Sequence, residues 1–159
     1  MTDTMWLEQT VALAVRNVTN GGGPFGAIIL RDGILLGTGQ NRVTRDLDPS
    51  AHAEIVAIRS ACQELGSFSL AGCTLYTSCE PCPMCLATGL WARLDRVVYA
   101  ADRDDAAKGG FDDRAFYELF GSVRANEHPE WPTKVDELRV PDAFAPFEAW
   151  LTKPDRTDY

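Results

Sequence analysis

The sequence predicts an α/β protein, a layered sheet with helices on both of its faces. Helix-spaced apolar residues over 52–65 and 82–91 alternate with short apolar runs over 73–78 and 96–101, the pattern of strands joined through helices. An Asp32-Gly33 pair separates two further strand-like runs and reads as a hairpin turn. At 159 residues the chain is one domain with enough length to bury a proper core.

Residues 4–18 form the first element, an amphipathic helix starting at Thr4, a suitable N-cap, with Trp6, Leu7, Val11, Leu13, Ala14 and Val18 spaced for burial. Asn20-Gly21-Gly22-Gly23 ends it. That glycine run is no phosphate loop, since neither a preceding strand nor a following Gly-Lys-Ser/Thr accompanies it. Phe25–Leu30 and Ile34–Gln40 are the hairpin strands, and Gly37 and Gly39 in the second mark a bulge or a close backbone approach. Two readings stay open for Phe25, core residue or ring-stacking residue. Asn41 is a turn former or a ligand contact at a strand end.

Next, Ile55, Ile58, Cys62 and Leu65 give a helix that Gly66 stops. Cys73 to Ser78 reads as a buried strand. Pro83 fits the first position of a helix running to about Trp91, and Arg96–Ala101 is another strand. The stretch from Asp102 to Asp113 is a solvated polar loop with a helix cap, or else supplies a carboxylate that reads ring N–H groups. Beyond Gly121 the chain is punctuated by Pro129, Pro132, Pro141, Pro146 and Pro154, with one short amphipathic helix over 144–151. Its aromatic residues dock on a neighbouring subunit or pack on the chain's own core.

Chemistry concentrates in Ala51-His52-Ala53-Glu54 and Pro81-Cys82-Pro83-Met84-Cys85. This H-x-E…P-C-x-x-C pattern resembles the signature of zinc-dependent nucleobase deaminases. His52, Cys82 and Cys85 supply three protein ligands to one zinc per subunit, leaving the fourth position to water. Glu54 is the general acid/base and no ligand. Both clusters fall at helix starts, where side chains tilt back towards the N-terminus and the helix dipole favours thiolates and a developing hydroxide. Zn²⁺, two thiolates and a neutral imidazole sum to zero charge. A structural site with Cys73 or Cys79 as fourth ligand is the rival, but it has no need of Glu54. A redox Cys-x-x-Cys lacks its usual context.

The chain is 45% hydrophobic and 24% charged, with a net charge of −8 and a pI of about 4.7. Such an acidic balance argues against a polyanionic partner, because nucleic-acid affinity rests on Lys and Arg at phosphates. Five cysteines, an odd number, and a start without a basic and apolar leader indicate a reducing cytoplasm. No apolar run reaches membrane-spanning length.

Beyond the zinc pattern, the chain resembles the bacterial guanine deaminases of the cytidine-deaminase-like superfamily. The likeness rests on Gly22-Gly23-Pro24-Phe25-Gly26-Ala27, Gln40-Asn41, the His52 motif, Tyr76 through Cys85, Trp91-Ala92-Arg93, Gly110-Phe111-Asp112-Asp113 and the terminal Tyr159. It implies a three-layer cytidine-deaminase-like fold with a five-stranded mixed sheet, and a homodimer whose C-terminal segments, residues 122–159, are exchanged between subunits. By the same carry-over Phe25 stacks on a purine base, Asn41 and the Ala53 backbone hold its polar edge, and Asp113 and Tyr159 close the pocket. The implied reaction turns guanine and water into xanthine and ammonia, with Glu54 shuttling protons. The partner expected is this small molecule, neither nucleic acid nor membrane. Rival substrates are a nucleoside, cytosine, an aminotriazine or adenosine in tRNA. The rival from another class is a non-catalytic zinc-bearing binding module.

Overall fold

A computed structural model describes residues 1–119, 121 and 133–156. Helix α1 (Asp3–Thr19) leads into the hairpin strands β1 (Gly26–Arg31) and β2 (Ile34–Gln40). A single turn, α2 (Val43–Asp46), precedes α3 (Ala53–Leu65), β3 (Cys73–Cys79), α4 (Pro83–Trp91) and β4 (Arg96–Ala101). Then come α5 (Arg103–Lys108), α6 (Arg114–Leu119), β5 (Lys134–Glu137) and α7 (Ala145–Thr152). The sheet has five strands in the order β2-β1-β3-β4-β5. β1 is antiparallel to both its neighbours, and β3, β4 and β5 run parallel. The expected mixed five-stranded sheet is present.

Strand alternation divides the core into two layers. Ala27, Ile29, Leu75, Val97 and Tyr99 face α3 and α4 on one side. Ile28, Leu30, Tyr76, Val98 and Ala100 face α1, α5 and α7 on the other. Helices therefore cover both faces. Asp3, at the start of α1, accepts the Tyr76 hydroxyl at 2.6 Å and pairs with Arg96 at 2.8 Å. Arg96 also reaches Asp136 on β5 at 2.7 Å, so one ionic chain ties α1 across three strands.

Several expectations need correcting. The cap of α1 is Thr2, whose hydroxyl accepts from the Met5 amide, and not Thr4; two further residues thereby enter the helix. Part of the supposed loop after Asp102 is helix α5, because the Asp102 carboxylate accepts the amides of Asp104 and Asp105 in a reciprocal capping box. The single turns α2 and α6 carry no apolar periodicity long enough to read. Asp32 and Gly33 both have positive φ, the mirror-image turn that matches the twist of a hairpin.

Gly37 and Gly39 serve both of the roles open to them. The β1–β2 register shifts between Ile29 and Leu30, which is the bulge. Beside it β2 lies directly against α3: a Cβ on Gly39 would stand 1.9 Å from the Ala53 carbonyl oxygen, and one on Gly37 2.7 Å from that of Ala57. Bare backbone on β2 thus lets the start of α3 sit flush on the sheet. At the other end of the chain, Phe147 and Trp150 of α7 are buried on the α1 side of the same chain. No helix among the described residues is long and apolar enough to cross a membrane.

Candidate active site

His52 and Cys82 occupy equivalent places, each the N-cap residue of its helix and each without a side-chain capping bond. Glu54 and Cys85 follow in the first turns of α3 and α4. A side chain at a helix start projects off the end of the helix, so two helix ends converge on one point. The Cys82 sulfur lies 3.6 Å from His52 Nδ1 and 3.6 Å from the Cys85 sulfur, and the Cys85 sulfur lies 3.5 Å from His52 Nδ1. Tetrahedral zinc, with Zn–S of about 2.3 Å and Zn–N of about 2.0–2.1 Å, separates S and N ligands by about 3.6 Å and two sulfurs by about 3.8 Å. The triangle fits the ion without rearrangement.

Among the described residues this group holds three ligands. The Cys79 sulfur points instead to the carbonyl of Asp102 at 3.8 Å, and Cys73 is buried at the start of β3. The arrangement is that of an open, catalytic zinc site and not of a closed structural one. A hydrogen bond shared with Cys85 holds the Cys82 thiol down to about 4. The same bond, with burial, pushes Cys85 well above its ordinary range. Burial lowers His52, but its hydrogen bond to Cys82 and the charges of Glu54 and Cys82 outweigh that and raise it overall. Glu54 is 5% exposed, and burial lifts its carboxyl to about 7 against the opposing His52 charge. A general acid/base works best near the operating pH.

The triad opens into a cavity of about 390 Å³ lined by Phe25, Asn41, Glu54, Cys79, Phe111 and Asp113 among others. Phe25 packs in the core, edge-on against Phe111 and Phe147 at 5.0 and 5.7 Å between centroids, and it also lines the cavity. Asn41 is likewise both turn former and cavity wall. Its Oδ1 accepts the Val43 amide at 3.2 Å, and its carbonyl takes the Asn17 side chain at 2.9 Å.

Of the two adjacent carboxylates, Asp112 turns outward to Arg114 at 2.7 Å. Asp113 turns in, and its Oδ1 is buried with no hydrogen-bond partner. A buried acceptor left unpaired costs about 1–3 kcal/mol, so this oxygen awaits a donor. Burial, then the Cys82 charge, pushes Asp113 up to about 6. Ala53 has its side chain in the core under the sheet, so only its backbone is available to the cavity. Tyr159 lies outside the described residues.

Sequence reasoning missed Phe111 and Phe147 as supports of Phe25, and it missed Glu80, Arg103 and Tyr117. Glu80 accepts the Arg103 guanidinium at 2.6 Å, Arg103 lies over the Tyr117 ring at 3.5 Å, and the Tyr117 hydroxyl donates to the Pro81 carbonyl at 2.7 Å. Glu80 lies inside the motif over 76–85, yet separations of 23 residues to Arg103 and, between Pro81 and Tyr117, of 36 leave no local signal.

Residues 1–101 match the family described as the cytidine and deoxycytidylate deaminase zinc-binding region, a span that holds the triad and Glu54. The whole chain is 44% identical to the guanine deaminase of Bacillus subtilis, over all of both chains. The X-ray structure of that enzyme superposes with a TM-score of 0.74 at 43% identity, covering 100% of this chain and 99% of the other. A crystal structure of a mutant protein in complex with 8-azaguanine, 28% identical, superposes with a TM-score of 0.79 over 95% of this chain and 85% of its own. The tRNA-specific adenosine deaminase of Buchnera aphidicola is 34% identical over 74% of this chain and 78% of its own. A triad of metal-ligating side chains beside a cavity, a buried carboxyl next to it and these likenesses agree: the chain belongs to the cytidine and deoxycytidylate deaminase zinc-binding family.

Proposed function

We propose that the protein hydrolyses guanine to xanthine and ammonia. The observation that carries this reading is that Glu54, the metal ligands His52 and Cys82, and Asp113 with its unpaired oxygen all line one cavity. Full-length likeness to an enzyme named for guanine supports it. Phe25 stacks on the purine ring, the Asn41 amide and the Ala53 backbone hold its polar edge, and Tyr159 covers it. Asp113 accepts guanine N–H groups; a substrate without them leaves this carboxylate unpaired, a larger penalty than any missing methylene.

Held by His52, Cys82 and Cys85, a Zn²⁺ would lower the pKa of a water to about 7 and so supply a nucleophile at neutral pH. Glu54 is the base that would take a proton from water as the water oxygen adds to C2 of guanine. The carboxyl then donates the proton to a ring nitrogen. A second proton, carried by Glu54 from oxygen to the amino group, lets ammonia leave. Water in, ammonia out, and the carboxylate is restored.

Ammonia release over guanine, guanosine, adenine, adenosine, cytosine, cytidine and an aminotriazine tests the substrate. Guanine should lead; a preferred nucleoside or pyrimidine would leave Glu54 its role and remove that of Asp113. The net charge of −8 weighs against the tRNA substrate of the Buchnera relative, and the cysteine content favours a reducing cytoplasm. The active form is a homodimer with exchanged C-terminal segments. Exchange keeps the packing of α7 on α1 and changes only which copy supplies it. Sedimentation of the fully active protein as a monomer would rule this out.

A further inference from the structure

Asp113 and Cys82 come from separate parts of the chain, and no sheet ladder sets the distance between them. Three side chains connect the two parts beyond the end of the β3–β4 ladder at Cys79 and Ala101. Glu80, with 6% of its side chain exposed, immediately precedes Pro81 and Cys82. Its carboxylate accepts the Arg103 backbone amide at 2.9 Å, Nη2 at 2.6 Å and Nε at 3.1 and 3.2 Å. The guanidinium plane lies over the ring of Tyr117, and the Tyr117 hydroxyl returns to the Pro81 carbonyl. The circuit closes one residue from where it began.

Tyr117 stands one turn after Asp113. The Asp113 carbonyl accepts the Phe116 amide at 2.9 Å, so the Asp113 backbone is part of the first turn of α6. Whatever fixes Tyr117 against Pro81 therefore fixes Asp113 against Cys82. Stability alone is a poor account of the circuit, because desolvation offsets most of what a buried ion pair gains. Tyr117 also stands apart from the residues that line the cavity, so its hydroxyl acts on other residues and not on the ligand.

We propose that Glu80, Arg103 and Tyr117 form a positioning clamp that sets the span between the Asp113 carboxylate and the metal triad, and with it the selection of guanine. The selection part rests on the reading given under Proposed function; the span itself does not. Tyr117→Phe keeps the ring under Arg103 and removes only the strut. Its KM for guanine should rise about tenfold, the worth of one hydrogen bond to a fixed group, with kcat within about twofold. Zinc content should match the wild type. In an Asp113→Asn background the same change should cost less than about twofold, since coupled residues do not add. Arg103→Lys, which keeps the charge but loses the fork and the stack, should behave as Tyr117→Phe does.

Crystal structures of the zinc-loaded wild type and Tyr117→Phe supply a readout that needs no substrate, and the Asp113 carboxylate should be displaced in the variant. An unmoved carboxylate, or an equal cost of Tyr117→Phe with and without Asp113, would overturn the clamp and leave the hydroxyl a stabilising role only. A wild type that ignores guanine would instead sink the substrate reading, while the position of Asp113 still decides the clamp.

Discussion

Glu54 and Asp113 face the same cavity, and burial lifts both carboxyls, to about 7 and about 6. Under the proposed function their duties differ: Glu54 exchanges a proton, whereas Asp113 keeps its charge to accept a hydrogen bond from the substrate without taking the proton. Guanine binding should therefore weaken as pH falls through the Asp113 range. Glu54→Gln isolates this effect, because it removes the second titration; we expect it to retain zinc and lose turnover about 10³-fold. Its Kd for guanine should rise about tenfold per pH unit below about 6, and adding Asp113→Asn should flatten the profile. An unchanged slope in the double variant would remove Asp113 from recognition. The sign for stability is opposite. A carboxyl raised in the folded state binds more protons there than when unfolded, so stability falls as pH climbs from about 4 to about 6 for Asp113 and on to about 7 for Glu54. Function here is held at a cost to folding. His52, Glu54, Cys82 and Cys85 could be read from the sequence because their chemistry is encoded in short spacings. Asp113 was legible only through likeness to relatives, since nothing in Gly-Phe-Asp-Asp says which carboxylate turns inward; the salt bridge that turns Asp112 out to Arg114 decides that in three dimensions.

Elements matter here mainly for how close they come. The start of α3 rests on β2 only because Gly39 has no side chain, and His52 and Glu54 hang from that start. Gly39→Ala would set a methyl against the Ala53 carbonyl oxygen, and backbone cannot swing aside as a side chain can. We expect a loss of about 3 kcal/mol, at the upper end for overpacking, together with weaker zinc retention as His52 moves. Urea denaturation and competition with a zinc chelator measure the two; wild-type zinc affinity in this variant would show that the close approach does not place His52. The glycines could be flagged from the sequence as a bulge or a close approach, and they are both. The short helix α5 was hidden, because a run of Asp and Arg looks like solvated loop until Asp102 is seen capping it. β5 escaped for the same kind of reason: Lys134-Val135-Asp136-Glu137 has a single buried apolar residue, and its place comes from pairing with β4.

Across the whole molecule the two faces of the sheet carry different loads. The α3–α4 face holds the metal ligands and Glu54, while the α1–α7 face holds the aromatic residues that back Phe25. Phe147 touches Phe25, and a Cβ on Gly109 would fall 2.4 Å from the Phe147 ring, so α7 is seated closely beside the cavity. The aromatic residues of the tail announced in the sequence that they needed a surface; which surface could not be read, because α1 and α7 are joined by no local pattern. The positions of His52 and Cys82 carry a consequence for how the protein opens. Each stands where a serine or aspartate would ordinarily tie down the first amides of its helix, and neither does so. The ion they share is then the common clasp of two helix ends from distant parts of the chain. Stripping it with a chelator should release both ends together and leave the sheet behind them closed. Hydrogen exchange would record this as faster labelling at residues 53–56 and 84–86 with little change at Val97–Tyr99, and equal protection with and without metal would mean that the clasp holds nothing but the ion.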